Sequence, residues 1–369
     1  MTTPLRMGFI GGALNSAIGM THKISSQMDG HFKLIAGCFS RNEEMNRQTA
    51  NAWGVAEKAL YDDALALIRS EHRNLDVVVI LTPTPAHYEI LQACLEYRLP
   101  VICEKALVSS VAQAQEIEAQ VSRLEGKLFV TFNYTGYPMI RELRERIEKG
   151  EFGKIQQVMV EMPQEGFARV REDGSTPLPQ GWRQVDGEIP TVSLDLGVHV
   201  HHLVEFLTAK NPQDIYAVNS TFARVPNVVD TVNIISRFDD EMVCNYWYGK
   251  GALGYRNGLK IRIFGTEKSA EWVQMDPEVV RMTDNAGMVT LLDRTAYCNH
   301  VANLPRYCRF KAGHPAGFIE AFANYYADIA ATLRGERNAY AIEAPAAVRG
   351  LEFFKKAQES AENNAKIKL

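Results

Sequence analysis

A lysine and a carboxylate stand together where a buried strand should end. Residues 99–102 form a short apolar run, Leu-Pro-Val-Ile, which is followed by Cys103, Glu104 and Lys105. Charged side chains are almost never buried without partners, so either the strand reaches the surface here or the lysine has a chemical task. A lysine that hydrogen-bonds a hydroxyl lowers the pKa of that hydroxyl and favours the alkoxide that develops as a hydride leaves. Lys105 is therefore a candidate catalytic residue, and Glu104 is the neighbour that would tune or orient it.

A second cluster combines a carboxylate with imidazoles in the segment SLDLGVHVHHLVEFL, residues 193–207. Asp195 and His199 stand four residues apart and would share one face if the segment is helical. A neutral histidine can take a hydroxyl proton near pH 7, and a carboxylate can stabilise the resulting imidazolium or stand beside the substrate. We interpret His201 as a core or surface histidine. A metal site is the alternative for this cluster, although convincing third and fourth ligands are not evident.

The elements that would position these residues follow an alternating pattern in the first 130 or so residues. Short β-branched runs alternate with helical patterns, which predicts a parallel sheet with crossover helices. The predicted strands are residues 5–10, 32–38, 77–81, 100–103 and 128–131. The predicted helices are residues 43–53, 86–97 and 111–124, the last with Ser109 and Ser110 as candidate N-caps. The carboxyl ends of such strands line the ligand crevice, and Lys105 lies just past one of them.

The first strand leads into a glycine-containing turn, GFIGGALNSAIGMTHK. Such a loop lets backbone amides approach a pyrophosphate and directs a helix N-terminus at its charge. The fit to G-x-G-x-x-G is imperfect, because Ala13 and Ser16 stand where the second and third glycines are expected. An ordinary glycine turn is the alternative, but the position between the first strand and a helix favours a dinucleotide site. The predicted cofactor contacts in this turn are Gly11, Gly12, Asn15 and Ile18.

The residues after the next strands bear on the choice of cofactor. The second strand is followed by Ser40 and Arg41 rather than by an acidic residue that would hold the ribose hydroxyls of NAD. This pair could receive a 2′-phosphate, so both NAD and NADP stay open; alternatively, Arg41 stacks on adenine or faces solvent. The segment ILTPTPAHYE ends the third strand at the same edge of the sheet. The predicted cofactor contacts beyond the first turn are Ser40, Arg41, Thr82, Pro83, His87, Glu104 and Lys105.

After residue 150 successive strands follow one another with few helices between them, which predicts a largely antiparallel sheet. The predicted strands are residues 155–161, 215–223, 232–238, 242–248 and 259–264. Two helices, residues 317–333 and 345–358, are predicted near the end. We predict a dinucleotide-binding domain over residues 1–131. Residues 132–369 would form a substrate-binding and oligomerisation domain, whose last helices could pack back on the first.

Composition narrows the class of protein. The 369 residues are 46% hydrophobic, enough for two domains with real cores. The 40 basic and 44 acidic residues contain no basic run suited to nucleic acid. No signal segment or run of ~20 apolar residues is evident, so we expect a cytoplasmic protein without membrane association. The six cysteines lack CxxC spacing and are interpreted as reduced core residues.

The motifs "TPTPAHYE", "CEKA", "NYTGYP" and "DLGVHVHHL", together with the glycine turn, resemble the Gfo/Idh/MocA family over nearly the whole chain. The stretches "GG…IGxxHK", "FNYTGYPMIRE", "GWR", "LKIRIFGTEKSAEW" and "GHPAGFIEAFANYY" are similar to the branch that contains levoglucosan dehydrogenase and inositol-type dehydrogenases. The resemblance implies an α/β fold class. An N-terminal Rossmann parallel sheet would be followed by a C-terminal α/β domain with a large, mostly antiparallel open sheet. That sheet often forms a dimer or tetramer interface, and the substrate is held between the domains.

The resemblance also implies roles for individual residues. The E-K-P lysine of the family corresponds to Lys105, and its D-x-x-x-H pair corresponds to Asp195 and His199. This sequence departs from the family at Ala106, where proline is usual, and at His202, where many members carry an acidic residue. We predict that His202 contacts the substrate.

The implied function is an NAD(P)-dependent oxidoreductase that transfers a hydride between nicotinamide and a hydroxyl-bearing carbon of a sugar, sugar derivative or cyclitol. His199 would be the general base, Lys105 would polarise the hydroxyl or relay its proton, and Asp195 would orient the base. The partners would be this small molecule and further copies of the chain in a homodimer or homotetramer, without nucleic acid or membrane. Two alternatives stay open: a dinucleotide-binding regulator of the same fold, and a metal-dependent hydrolase or lyase that uses the "HVHH" histidines.

Further substrate contacts are predicted from residue type. A polyol offers hydroxyls to fixed donors and an apolar face to aromatic rings. Core packing is the alternative for Trp182, and a surface ion pair is the alternative for Arg183. The candidates are Asn133, Tyr134, Trp182 and Arg183.

Overall fold

The computed structural model describes residues 3–311, 313–336 and 338–369, which form two compact units. The first unit contains the residues up to Gly136 together with Phe318–Val348. The second contains Tyr137–Gly317 together with Arg349–Leu369. This division differs from a single boundary after residue 131, because a late segment of the chain groups with the first unit.

The first unit is built on a five-stranded sheet with the order β2-β1-β3-β4-β5, in which all pairs are parallel. Its strands are β1 (Leu5–Gly11), β2 (Phe32–Cys38), β3 (Val77–Leu81), β4 (Val101–Cys103) and β5 (Leu128–Val130). The helices between them are α1 (Gly19–Gln27), α2 (Glu43–Trp53), α3 (Ala64–Glu71), α4 (His87–Glu96) and α5 (Val111–Leu124). Every residue of β3 is buried, as expected for a parallel strand with both faces covered. The predicted parallel sheet is confirmed.

Local capping explains where several of these helices begin. Asn42 accepts a hydrogen bond from the Met45 amide at the start of α2, and Ser110 accepts one from the Gln113 amide at the start of α5. The predicted Ser110 cap is therefore confirmed. Asp63 caps α3 in the same way, although that helix was not predicted from the sequence.

The second unit contains a nine-stranded sheet with the order β13-β12-β11-β10-β6-β9-β8-β7-β14. All pairs are antiparallel except β6 with β9, so a mostly antiparallel sheet is confirmed. Its strands are β6 (Ile155–Pro163), β7 (Pro212–Ser220), β8 (Thr231–Phe238), β9 (Val243–Gly249), β10 (Lys260–Gly265), β11 (Lys268–Val273), β12 (Asp276–Asp284), β13 (Val289–Asp293) and β14 (Ile367–Lys368). The remaining helices of the chain are α6 (Pro138–Glu148), α7 (Val198–Thr208), α8 (Phe318–Leu333) and α9 (Ala344–Asn363).

Helix α8 belongs to the first unit because it packs closely there. A Cβ on Gly136 would lie 2.0 Å from the carbonyl oxygen of Ala321, so only glycine allows this approach. Asn324 donates a hydrogen bond to the Gly136 carbonyl at 2.8 Å, and the Tyr325 hydroxyl donates one to the Val130 carbonyl at 2.5 Å. These contacts attach α8 to the segment that follows β5.

Two predictions need correction. The strand predicted at residues 215–223 lies at Pro212–Ser220, because the Asp230 carboxylate accepts hydrogen bonds from the Phe222 and Ala223 amides and ends the ladder. Four cysteines are buried as predicted, but Cys298 and Cys308 are exposed, because they lie in the irregular segment between β13 and α8. Within the described residues, no helix combines the length and apolarity that crossing a membrane requires.

Candidate active site

The turn between β1 and α1 brings backbone segments into unusually close contact. Gly11 and Gly12 have φ angles of +83° and +78°. A Cβ on Gly11 would lie 2.8 Å from the Thr82 amide nitrogen, and one on Gly19 would lie 1.9 Å from the Gly12 carbonyl oxygen. The backbone conformation therefore favours glycine at positions 11 and 12, and the lack of space requires it at positions 11 and 19. The loop between Gly12 and Gly19 is longer than the G-x-G-x-x-G pattern, which explains the imperfect sequence match.

Internal hydrogen bonds fix the shape of this turn. Ser16 Oγ accepts from the amides of Ile18 and Gly19 at 3.3 and 3.2 Å. The Leu14 amide donates to Thr49 Oγ1 at 3.2 Å. Asn15 is exposed at the tip and Ile18 is half-buried before α1.

These features fit a dinucleotide. The glycines leave the space that the close approach of a pyrophosphate requires, at the N-terminus of a nine-residue helix. In the part of the chain that the structure describes, Thr82 Oγ1 and Asn133 Nδ2 are buried without a hydrogen-bond partner. Both residues follow strands of the parallel sheet, at the edge where a bound cofactor would supply partners. Pro83 is exposed and leads into the 3-10 turn Thr84–Ala86.

The end of β2 carries no acidic residue before α2 begins. Asn46 Oδ1 accepts hydrogen bonds from the amides of Phe39 and Ser40, at 2.8 and 3.3 Å, and so fixes the start of this loop. Ser40 Oγ accepts from the Asn42 amide at 3.1 Å. Arg41 is exposed. The loop therefore presents a hydroxyl and a guanidinium, the two groups from which the sequence predicts either NAD or NADP.

The Glu104–Lys105 segment is anchored at the carboxyl end of β4. The Glu104 amide donates to the Ile80 carbonyl at 3.0 Å. The Cys103 carbonyl accepts from the amide and from Oγ1 of Thr131, at 3.0 and 3.2 Å. Lys105 is half-buried, and the peptide bond between Lys105 and Ala106 is cis. The lysine thus stands where the sequence predicted it, just past a strand of the parallel sheet.

His87 links this segment to the end of β3. Its Nε2 lies 2.8 Å from the Thr82 carbonyl oxygen, and its Nδ1 lies 3.1 Å from the carbonyl oxygens of Ala106 and Leu107. Burial lowers the pKa of the imidazole. These contacts connect the residues that follow Lys105 to the residue that follows β3. Its predicted contact with the cofactor stays a prediction.

His22 is a functional candidate that was not predicted from the sequence, although it lies in the motif "GG…IGxxHK". Its imidazole lies 3.0 Å from Glu104 Oε1 and 2.7 Å from the Tyr326 hydroxyl. Glu104, a predicted site residue, is thus held by a residue of α1.

In the second unit, Asp195 lies in a π-helical turn, Ser193–Gly197, that leads into α7. The segment is helical, the condition under which Asp195 and His199 would share a face, and it contains one wider turn of a kind that often marks functional sites. Gly197 permits close packing, because a Cβ there would lie 2.8 Å from the Phe354 ring. His199 follows in the first turn of α7 and is buried.

Asp195 forms ion pairs with two cations. Lys250 Nζ lies 2.5 Å from Oδ2, and Arg183 Nη2 lies 3.2 Å from Oδ1. The Arg183 guanidinium lies 4.8 Å from the centre of the Trp182 ring, within the range of a cation–π contact. The structure therefore brings together three predicted site residues, Asp195, Arg183 and Trp182. Lys250 was not predicted, although it follows the end of β9 just as Lys105 follows β4.

The other predicted substrate contacts lie in different surroundings. Asn133 and Tyr134 are buried in the 3-10 turn Asn133–Gly136 of the first unit. His202 is buried on α7, with its ring 6.2 Å from that of Phe206. His201 packs on Phe353, with ring centres 4.6 Å apart, as a core histidine would. The roles of Asn133, Tyr134 and His202 in substrate binding stay predictions.

The histidines of α7 do not form an evident metal site. Over residues 3–311, 313–336 and 338–369, no three His, Cys, Asp or Glu side chains are grouped so that they could hold a metal ion. Burial lowers the pKa of both His201 and His202 to about 3, so both rings are neutral near pH 7.

Comparisons with known proteins agree with this geometry. Residues 5–132 match the oxidoreductase family with an NAD-binding Rossmann fold, and residues 140–271 match the GFO/IDH/MocA C-terminal domain. The Bacillus subtilis oxidoreductase YfiI is 30% identical over 338 residues, which cover 88% of this chain and 84% of that protein.

Solved structures share the fold over the full length. An inositol dehydrogenase homolog from Azotobacter vinelandii, complexed with NADH and myo-inositol, has a TM-score of 0.89 and 26% identity, covering 100% of this chain and 98% of the other. A levoglucosan dehydrogenase in complex with NADH and levoglucosan has a TM-score of 0.83 and 20% identity, covering 99% of each chain, a likeness of fold alone. The chain belongs to the GFO/IDH/MocA family of oxidoreductases, whose N-terminal domain is an NAD-binding Rossmann fold.

Proposed function

We propose that this oxidoreductase is an NAD(P)-dependent dehydrogenase that acts on a CH–OH group of a cyclitol, sugar or sugar derivative. The observation that carries the proposal is the cluster of Asp195, Lys250 and Arg183 beside the π-helical turn that leads to His199. Such a cluster supplies fixed charged donors and acceptors, which suit the hydroxyl groups of a polyol. The myo-inositol in the Azotobacter vinelandii homolog supports the same substrate class.

The first unit would bind the cofactor. NAD supplies the nicotinamide carbon that accepts the hydride when it is bound. The backbone of Gly11, Gly12 and Gly19 leaves space for the pyrophosphate, and Thr82 Oγ1 offers a polar partner at the end of β3. Ser40 and Arg41 would bind the adenosine ribose, with or without a 2′-phosphate.

Proton transfer would depend on three side chains. His199 accepts the hydroxyl proton at a ring nitrogen, which is a task suited to a histidine near neutral pH. Lys105 donates a hydrogen bond from Nζ to the same hydroxyl oxygen and stabilises its developing charge. Asp195, held by Lys250 and Arg183, accepts hydrogen bonds from substrate hydroxyls and orients the base.

The test is a panel of cyclitols and sugars offered with NAD and with NADP, followed by reduced-nucleotide absorbance. At least one polyol is expected to give turnover. Lys105→Ala should lower turnover by roughly 10²- to 10⁴-fold, the usual contribution of acid–base groups, while nucleotide binding measured by calorimetry persists. Lys58→Ala is the matched control, because Lys58 is an exposed lysine of the same unit. Full activity of Lys105→Ala would remove this lysine from the mechanism.

We also propose that the chain forms homo-oligomers through the open sheet face. We define this face by the outward residues of the central strands of the second unit: Met159, Tyr216, Val218, Ile235 and Trp247. Glu161 on the same face pairs with Lys260 at 3.2 Å and with Arg262 at 3.0 Å. An apolar and aromatic centre bordered by ion pairs is typical of an interface, and two copies related by a two-fold axis can use one such patch twice.

A further inference from the structure

Three buried polar side chains form a network in the first unit that the proton-transfer scheme above does not use. His22 on α1 is 0% exposed, Tyr326 on α8 is 1% exposed and Glu104 is 9% exposed. His22 Nδ1 lies 2.7 Å from Tyr326 Oη, and its Nε2 lies 3.0 Å from Glu104 Oε1. The imidazole therefore bridges a phenol and a carboxylate.

The chemistry of the two partners selects one arrangement of protons. An ionised carboxylate only accepts hydrogen bonds, so His22 Nε2 must carry the proton that faces Glu104. In the tautomer with its one proton on Nε2, Nδ1 has a lone pair that accepts a hydrogen bond from the Tyr326 hydroxyl. Burial raises the pKa of Tyr326 well above its usual value, so the phenol keeps this proton. Both ring nitrogens are satisfied in this arrangement.

Packing holds the imidazole in its orientation. The Phe322 ring lies 5.0 Å from the His22 ring at an interplanar angle of 72°, and the Tyr326 ring lies 5.8 Å away at 86°. Both aromatic residues belong to α8. The ring of His22 is thus fixed by hydrogen bonds at its two nitrogens and by edge contacts with its neighbours.

Glu104 is consequently fixed through both its backbone and its side chain. Its amide is bonded to the Ile80 carbonyl, and its carboxylate is bonded to His22. The next residue along the chain is Lys105. His87 and Cys103 also interact electrostatically with Glu104. Burial lowers the pKa of His87 and raises the pKa of Cys103, so both side chains favour their uncharged forms. His22 is therefore the donor that holds the Glu104 charge in place.

We propose that His22, oriented by Tyr326, is a positioning residue that fixes the Glu104 carboxylate and thereby the geometry of Lys105. The proposal rests on the proposed function for the task of Lys105, but the hydrogen-bond network itself can be tested without turnover.

The first experiment compares His22→Leu with His22→Gln. Leucine leaves the Glu104 carboxylate without its donor, so kcat should fall about tenfold or more, as expected for loss of a hydrogen bond to a charged group. Glutamine offers an amide N–H to Glu104 and a carbonyl to Tyr326, so it should restore kcat to within about threefold of the unsubstituted protein. The acid limb of the pH profile of kcat should move to higher pH in His22→Leu and stay in place in His22→Gln. The KM for the nucleotide should change less than kcat in both.

Tyr326→Phe provides a second variant that keeps the ring packing. Without the phenol, His22 Nδ1 loses its donor, and kcat should fall by a smaller factor than in His22→Leu. Thermal unfolding identifies any variant that fails to fold. His72→Leu replaces a half-buried histidine of the same unit and is the control that keeps the original kcat.

The nitrogen-15 NMR spectrum of the His22 ring is a measurement that does not depend on turnover. Its signals are identified as those that disappear in His22→Gln. The spectrum should show a neutral ring with its proton on Nε2. A proton on Nδ1, or unchanged kcat and pH profile in a folded His22→Leu, would overturn the proposal. If the unsubstituted protein oxidises no polyol, the proposed function fails, while the NMR result still decides the network.

Discussion

At the scale of single residues, the proposed role of Asp195 in substrate binding depends on how its carboxylate is paired. Lys250 and Arg183 each take one of its oxygens, at 2.5 and 3.2 Å. A carboxylate offers about four lone-pair sites, so it can accept hydrogen bonds from several donors at once.

Lys250→Met tests this arrangement, because methionine keeps most of the side-chain volume and removes the charge. We expect the KM for the polyol to rise about tenfold, since Asp195 loses a buried charged partner, while kcat changes less. Steady-state kinetics with the substrate found in the panel measure both constants. Lys355→Met is the matched control, because Lys355 forms a more exposed pair with Glu188 at 3.1 Å. An unchanged KM in Lys250→Met would contradict the arrangement.

Asp195 and Arg183 were predicted as site residues from the sequence, whereas Lys250 and His22 became candidates only from the structure. A lysine just past a strand was the signal used for Lys105, and Lys250 offers the same signal after β9. The partner of each missed residue lies far along the chain: Lys250 pairs with Asp195, and His22 with Glu104. Such partners depend on tertiary contacts, which a single sequence does not reveal.

At the scale of elements, β2, β3, α2 and α5 have the predicted bounds, because apolar periodicity and caps such as Asn42 are local signals. Strand β7 was misplaced because its end depends on the side chain of Asp230, ten residues beyond the last strand residue, Ser220. Strands β11 to β13 were missed, since their residues are largely half-buried or exposed and give weak alternation.

Helix α7 carries a prediction about pH. Burial lowers the pKa of His201 and His202 to about 3 from the usual 6.5, so unfolding takes up protons between these values. The free energy of unfolding should be highest above pH 6.5 and fall as the pH decreases toward 3. His201→Leu removes one of these groups and should reduce the slope by up to about 1.4 kcal/mol per pH unit.

Urea denaturation in half-unit steps between about pH 7 and 5 measures this slope. This pH range lies above the range in which Glu151 takes up a proton, because the pKa of that carboxyl is lowered from 4.5 to about 2. His314→Leu removes an exposed histidine and should leave the slope unchanged. Equal slopes for His201→Leu and the unsubstituted protein would show that His201 titrates normally in the folded state.

At the scale of the whole molecule, the open sheet face carries the proposed oligomer interface. Ile235 on β8 is 51% exposed, between outward-facing neighbours Tyr216 and Asn245 on the adjacent strands. Ile235→Lys should place like charges opposite each other across a two-fold interface and convert the assembly to monomers. Light scattering after size-exclusion chromatography measures the mass.

Val289→Lys is the matched control for that experiment. Val289 is also 51% exposed but lies on the edge strand β13, six strands away from β8. The Val289→Lys variant should keep the mass of the unsubstituted protein. A monomer before any substitution, or an unchanged mass in Ile235→Lys, would refute the proposed interface.

The grouping of Phe318–Val348 with the first unit affects the order of events during synthesis. A ribosome releases the N-terminal sheet long before it makes Tyr326, which holds His22, and Asn324, which holds the Gly136 carbonyl. Domains generally fold as units, so the nucleotide-binding unit can finish folding only after α8 has emerged. Nascent chains that stop short of α8 should accordingly be protease-sensitive in residues that the full-length protein protects.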